Sequence, residues 1–176
     1  MGDTGGQKNV RLQKFTEGEK AARRALARQE SGAEGQFWLG ANLGGQADVK
    51  SALSAAGLVK DIEACMRKVI AVKPTYECGS AYNLLGKLKC RVPKFMGGNV
   101  QESKELLEKG QQVCSDNVLG RLFLAQTLIE MGNRVEARRL LESVLAVSPT
   151  GPWGPEWKRV QETAKEELAK LGGAAQ

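Results

Sequence analysis

The sequence contains no histidine, and this absence excludes several kinds of active site. Without an imidazole there is no Ser-His or Cys-His relay, no histidine-ligated zinc and no histidine that changes charge near neutral pH. Carboxylate and lysine chemistry stays compatible with the composition. We therefore expect a protein that is not an enzyme and that uses neither a cofactor nor a metal.

Long apolar runs are also missing, so we predict no membrane-spanning segment. The first thirteen residues are polar and basic and lack the apolar core of a signal peptide. The net charge is +6, but acids and bases alternate along most of the chain. Only 5% of the residues are aromatic, and none is interleaved with the basic cluster around Arg23 and Arg24. This pattern predicts solvated helix faces and no nucleic-acid site.

Apolar residues recur at helical spacing in almost every segment, and no sustained alternation predicts a strand. Thr16 and Asn99 are predicted helix N-caps. The fold class we expect is all-α. The predicted helices cover residues 17–30, 36–43, 58–72, 78–90, 101–113, 117–131, 135–147 and 156–171.

A repeat lies within this helical pattern. The tetratricopeptide skeleton is matched by Leu124, Ala125, Leu128, Gly132, Ala137, Leu141, Val144 and Pro149. Two more degenerate copies precede it, so we predict a tetratricopeptide-like α-solenoid of antiparallel helix pairs with a C-terminal capping helix. The predicted organisation is a flexible basic segment 1–15, one helical domain over 16–171 and a flexible tail 172–176. Within the domain we place repeats at 16–31, 33–74, 76–115 and 117–149, and the cap helix at 156–171.

Four strings make the chain resemble a known family. They are FWLGAN at 37–42, KPTY at 73–76, YNLLG at 82–86 and PKFMGGN at 93–99. In this order they resemble the T component of TRAP transporters, the tripartite ATP-independent periplasmic transporters. The proline, the aromatic residue and the double glycine of the wide turn are together the most specific feature, because an ordinary tetratricopeptide turn has no room for them.

The resemblance implies a periplasmic protein that binds the transporter's solute-binding subunit. It also implies a lipid anchor in the full-length product and a homotrimer, and it is compatible with a small amphiphilic or apolar ligand. The alternative is a cytoplasmic tetratricopeptide scaffold that binds a peptide or protein segment in the same concave groove.

In a tetratricopeptide array the first helix of each pair lines the concave surface, where ligands usually lie. Ordinary helix-face residues are the competing interpretation of these positions. Among them, Lys87 could bind a carboxylate in a lining that is otherwise mostly apolar. The candidate ligand- or partner-binding residues are Phe37, Ala41, Asn42, Asn83, Lys87, Leu122, Gln126 and Ile129.

Three aromatic residues are predicted to be structural. Trp38 and Tyr82 each lie near a glycine of the same helix, which is typical of large residues packed between repeats. Phe95 is expected to fold back and plug the wide turn.

Four cysteines are widely spaced, without a CxxC pair. Cys78 opens the first helix of the second repeat and Cys114 ends the second helix, so antiparallel pairing would bring them close. A Cys78–Cys114 disulfide would indicate an oxidising compartment, and four free thiols are the alternative.

Overall fold

The computed structural model describes residues 5–28, 32–148 and 154–173, which fall into two compact units divided between Glu77 and Cys78. All the regular structure in these ranges is helical, so the prediction of an all-α chain is confirmed.

Unit 1 contains α1 (Gly5–Arg28), α2 (Ala33–Val49), α3 (Ala52–Ala56) and α4 (Val59–Val72). Both α1 and α4 pack against α2. Close packing of α2 on α4 requires a glycine, because a Cβ at Gly40 would lie 2.9 Å from the Cβ of Cys65. The centre of the unit is formed by the fully buried side chains of Leu43, Met66 and Val69.

Helix α1 begins at Gly5, well before the predicted start after Thr16. The Thr16 hydroxyl lies inside the helix and donates to the carbonyl oxygen of Leu12 at 2.8 Å, so the predicted N-cap is wrong. Packing explains the longer helix: a Cβ at Gly45 on α2 would lie 2.5 Å from Cε1 of Phe15. Residues 5–15 of the segment predicted to be flexible are therefore helical, and residues 1–4 lie outside the described ranges.

Unit 2 contains α5 (Ser80–Arg91), α6 (Val100–Val113), α7 (Val118–Glu130), α8 (Arg134–Leu145) and α9 (Gly154–Gly173). Helices α5 and α6 pair, α7 and α8 pair, and α9 packs on α7 and α8 as the predicted cap. An asparagine starts three of these helices by accepting a hydrogen bond from the backbone N–H three residues ahead. These caps are Asn99, which confirms the prediction, Asn117 and Asn133.

A buried hydroxyl pair ties three helices of unit 2 together. Ser103 Oγ on α6 donates to the carbonyl oxygen of Gly86 on α5 at 2.7 Å. Its second contact, at 2.9 Å, is Oγ1 of Thr127 on α7, which also donates to the carbonyl oxygen of Phe123. The fully buried side chains of unit 2 also include Leu85, Leu107, Leu128 and Leu141. The predicted closing Pro149 lies outside the described residues.

The wide turn between α5 and α6 is built around a buried lysine. Lys89 Nζ donates to the carbonyl oxygen of Gly97 at 3.1 Å and lies 3.3 Å from Oε2 of Glu102. This side chain fills the inside of the turn, and Phe95 at its tip is 88% exposed. The expectation that Phe95 plugs the turn is therefore wrong, because the stem of Lys89 already occupies that place.

Unit 2 begins with a cross-linked turn. Cys78 and Gly79 have φ values of 57° and 70°, in the left-handed region. The structure joins Cys78 to Cys114 in a disulfide whose Cα atoms are 5.3 Å apart. Asn117 Nδ2 adds a hydrogen bond of 3.1 Å to the carbonyl oxygen of Cys78. The start of α5 is thus fastened to the end of α6 and the start of α7.

Candidate functional site

A cavity of about 490 Å³ opens among three helices of unit 2. Its volume lies within the range of small-molecule and peptide side-chain sites. Helix α5 contributes Lys87, Cys90 and Arg91, helix α7 contributes Phe123, Gln126, Ile129 and Glu130, and helix α9 contributes Glu167.

Lys87 forms a cation–π contact on the wall of this cavity. Its Nζ lies 5.4 Å from the ring centroid of Phe123, within the distance at which an ammonium is attracted to an aromatic face. Because Phe123 is itself buried in the helix core, the ring position is fixed by packing. The contact therefore holds the lysine stem along an apolar wall while the ammonium remains at the cavity.

The lining is more charged than we expected from sequence. Lys87 and Arg91 bring two cations from α5, while Glu130 and Glu167 bring two carboxylates from α7 and α9. The predicted surface was mostly apolar with a single lysine. Cations on one wall and acids on another suit a partner segment that itself carries both charges beside aliphatic groups.

The Cys90 thiol lies at the cavity without being an activated nucleophile. Burial raises its pKa above the ordinary value, while a hydrogen bond with the Thr127 side chain opposes that rise. A thiol with a raised pKa is mainly protonated at neutral pH and reacts slowly. Cys90 therefore serves as a small wall residue.

Metal binding finds no support in the described ranges, where no group of three or more acidic or cysteine side chains could hold an ion. None of the helices in those ranges is both long enough and apolar enough to span a bilayer.

Comparison with known proteins identifies the family of the chain. The model of the TRAP transporter T-component family matches residues 6–161. The chain belongs to the TRAP transporter T-component family. The resemblance predicted from the four sequence strings is thereby confirmed. Family membership links the chain to TRAP transporters and makes it a periplasmic or membrane-associated transporter component.

A solved structure supports the fold of this T-component chain. The crystal structure of MamA, a tetratricopeptide-like helical protein, superposes with a TM-score of 0.57 at 16% sequence identity. The match covers 98% of this chain and 99% of that chain. At such an identity the likeness shows the fold alone, and it confirms the predicted tetratricopeptide-like class. No curated protein matches the chain in sequence.

Three of the predicted binding residues line the unit 2 cavity: Lys87, Gln126 and Ile129. Two others in this unit are buried instead. Leu122 belongs to the core, and Asn83 is 2% exposed. A Cβ added at Gly110 or at Gly120 would lie 2.6 Å from Asn83 Oδ1, so this amide packs against the backbone of α6 and α7.

The three remaining predicted residues lie on α2 in unit 1. Phe37 is buried and packs edge-to-face on Tyr76, with ring centroids 5.2 Å apart. Ala41 is half-buried. Asn42 Nδ2 donates to the carbonyl oxygen of Trp38 at 2.7 Å. Trp38 is 47% exposed, so its predicted core role is wrong, although its ring packs edge-to-face on Phe37 with centroids 5.3 Å apart.

Sequence reasoning did not select five of the cavity residues: Cys90, Arg91, Phe123, Glu130 and Glu167. The spacing could have found four of them. Cys90 and Arg91 lie three and four positions beyond Lys87, and Phe123 and Glu130 lie three before and four after Gln126. Residues at these separations share a helix face. The position of Glu167 at the cavity depends on how α9 packs, and no local sequence pattern predicts that packing.

Proposed function

We propose that this chain is a non-enzymatic T component that works in the periplasm by binding the solute-binding subunit of a TRAP transporter. The observation that carries the proposal is the family match over residues 6–161. A lipid anchor in the full-length product and a homotrimer, both implied by the sequence resemblance, belong to the same proposal.

The unit 2 cavity supplies the surface for this partner. Its apolar wall, formed by Phe123 and Ile129, suits an aliphatic or aromatic anchor. Lys87 on one side and Glu130 on the other suit a segment that carries an acid and a base flanking that anchor. Gln126 lies on the same α7 face and can donate to or accept from a backbone amide.

Two features of the chain support the periplasm and a role without catalysis. The Cys78–Cys114 pairing suits an oxidising compartment. The chain has no histidine, and the cysteine at the cavity has a raised pKa, so the site lacks both an imidazole base and an activated thiol.

The test measures affinity between the full chain and the purified solute-binding subunit of its transporter by titration calorimetry. Lys87→Glu reverses a charge at the cavity and is expected to weaken binding about tenfold or more. Lys109→Glu makes the same charge change on α6, away from the cavity lining, and is expected to change affinity less than about twofold.

Absence of saturable binding would refute the proposed partner. Equal losses in the two variants would refute the cavity as the binding surface. Recovery of the full-length protein in the cytoplasmic fraction would instead support the scaffold alternative.

A further inference from the structure

Unit 1 contains a second cavity, of about 810 Å³, between α1, α2 and α4. Its walls are mainly aliphatic and come from all three helices. They include Leu26 and Ala27 on α1, Leu39 on α2, and Ala71 and Val72 on α4. Val72 is 61% exposed, although it lies on an apolar wall. A surface of this kind is what an aliphatic chain would cover.

A glutamine amide in the lining of this cavity forms no hydrogen bond with the residues that the structure describes. Gln36 is 8% exposed and lines the cavity. No hydrogen bond joins its side chain to any residue in the described ranges. The amide is therefore open to the cavity, where its N–H and C=O groups can bond to the polar group of a ligand.

Two cations lie at the same cavity. Lys68 on α4 forms neither an ion pair nor a hydrogen bond with the residues that the structure describes. Arg23 on α1 is held through its Nε by Glu19 at 2.8 Å, so part of its charge is balanced. No carboxylate belongs to the described lining. The polar side of the cavity is therefore positive and carries amide donors.

From these observations we propose that unit 1 binds an anionic amphiphile, with its carboxylate or phosphate head at Lys68 and Gln36 and its aliphatic tail on the wall formed by Leu39 and Ala71. The site is separate from the unit 2 cavity and does not depend on the proposed partner. The same chemistry is offered by a free aliphatic acid and by an anionic lipid.

The first arm titrates the full chain with octanoate and with 1-octanol, which share a tail and differ in the head. Octanoate is expected to bind at least about fivefold more tightly, because only its head is charged. Lys68→Glu is expected to abolish this preference. Lys60→Glu on the same helix lies outside the lining and is expected to leave it within about twofold.

The second arm measures cosedimentation with vesicles of phosphatidylglycerol or of phosphatidylcholine. If the chain binds the anionic vesicles, and if Lys68→Glu abolishes this binding while Lys60→Glu retains it, the amphiphile is a lipid. Octanoate binding with no vesicle binding would identify a free acid.

Gln36→Met keeps the side-chain volume and removes the amide, so the fold should persist while the preference for octanoate falls. Three results would overturn the proposal. They are no saturable binding in either arm, equal affinity for octanoate and 1-octanol, and equal effects of Lys68→Glu and Lys60→Glu.

Discussion

The hydroxyl pair between Ser103 and Thr127 makes a quantitative prediction about unit 2. Both side chains are fully buried, and their oxygens are 2.9 Å apart. Thr127→Val keeps the shape of the side chain and removes a hydroxyl whose proton is shared between Ser103 and the carbonyl oxygen of Phe123, and which also bonds to the Cys90 thiol. A net loss of about 1 kcal/mol per buried hydrogen bond gives a free energy of unfolding lower by about 1 to 2 kcal/mol.

A matched control separates this effect from a local one. Thr163→Val on α9 removes a hydroxyl that bonds only within its helix, to the carbonyl oxygen of Arg159 at 3.1 Å on an exposed face. We expect its effect to stay below about 0.5 kcal/mol. Urea denaturation of the full chain, followed by circular dichroism, measures both variants.

Combining Thr127→Val with Ser103→Ala completes a double-mutant cycle. The pair should cost about 0.5 to 1 kcal/mol less than the sum of the single changes, because one shared bond is counted twice in that sum. Equal stability of Thr127→Val and Thr163→Val, or strict additivity in the cycle, would refute the argument that this bond ties α6 to α7.

Three further predictions concern other parts of the fold. The double variant Cys78→Ser, Cys114→Ser opens a loop that the disulfide closes across 36 positions, and should lower the free energy of unfolding in urea by about 3 to 4 kcal/mol. Reductant should destabilise the wild type and leave the double variant unchanged. Gly86→Ala should lower the melting temperature, because the new Cβ would lie 2.5 Å from a carbon of a buried leucine. Gly44→Ala meets no atom within 4 Å and should raise the free energy of unfolding by about 0.5 to 1 kcal/mol. The opposite order of stabilities would refute this packing. A hydrogen bond from Gln46, supported by Arg23, lowers the pKa of Glu19 below its ordinary value of 4.5, so the ionised carboxylate stabilises the fold above that pH and loses this effect as the pH falls through the lowered pKa. The melting temperatures of wild type and Glu19→Gln should therefore converge as the pH falls through this range. A constant difference between them would contradict the prediction.

Periodicity predicted the helices well because each one buries an apolar stripe. The limits of α4, α6 and α8 fall close to the predicted ranges. The early start of α1 was missed, since it depends on Phe15 packing against α2, a contact between residues far apart in sequence. The five-residue helix α3 was also missed, because none of its residues is buried and so short a helix shows no periodic pattern of apolar residues.

The candidate site was only partly predictable. The repeat frame selected Lys87 and Gln126, and both line the unit 2 cavity, from α5 and α7. It placed Leu122 on the same face, although that leucine is 3% exposed and belongs to the core. The cavity of unit 1 left no trace in the sequence, because its character comes from Gln36 and Lys68, which belong to different helices.

Hydrogen exchange of the full chain, with and without the transporter's solute-binding subunit, tests whether this partner binds at the unit 2 cavity. We expect slower exchange on binding in α5 and α7, centred on the helical turns that carry Lys87 and Gln126. Unchanged exchange in these two helices at saturating partner would contradict it.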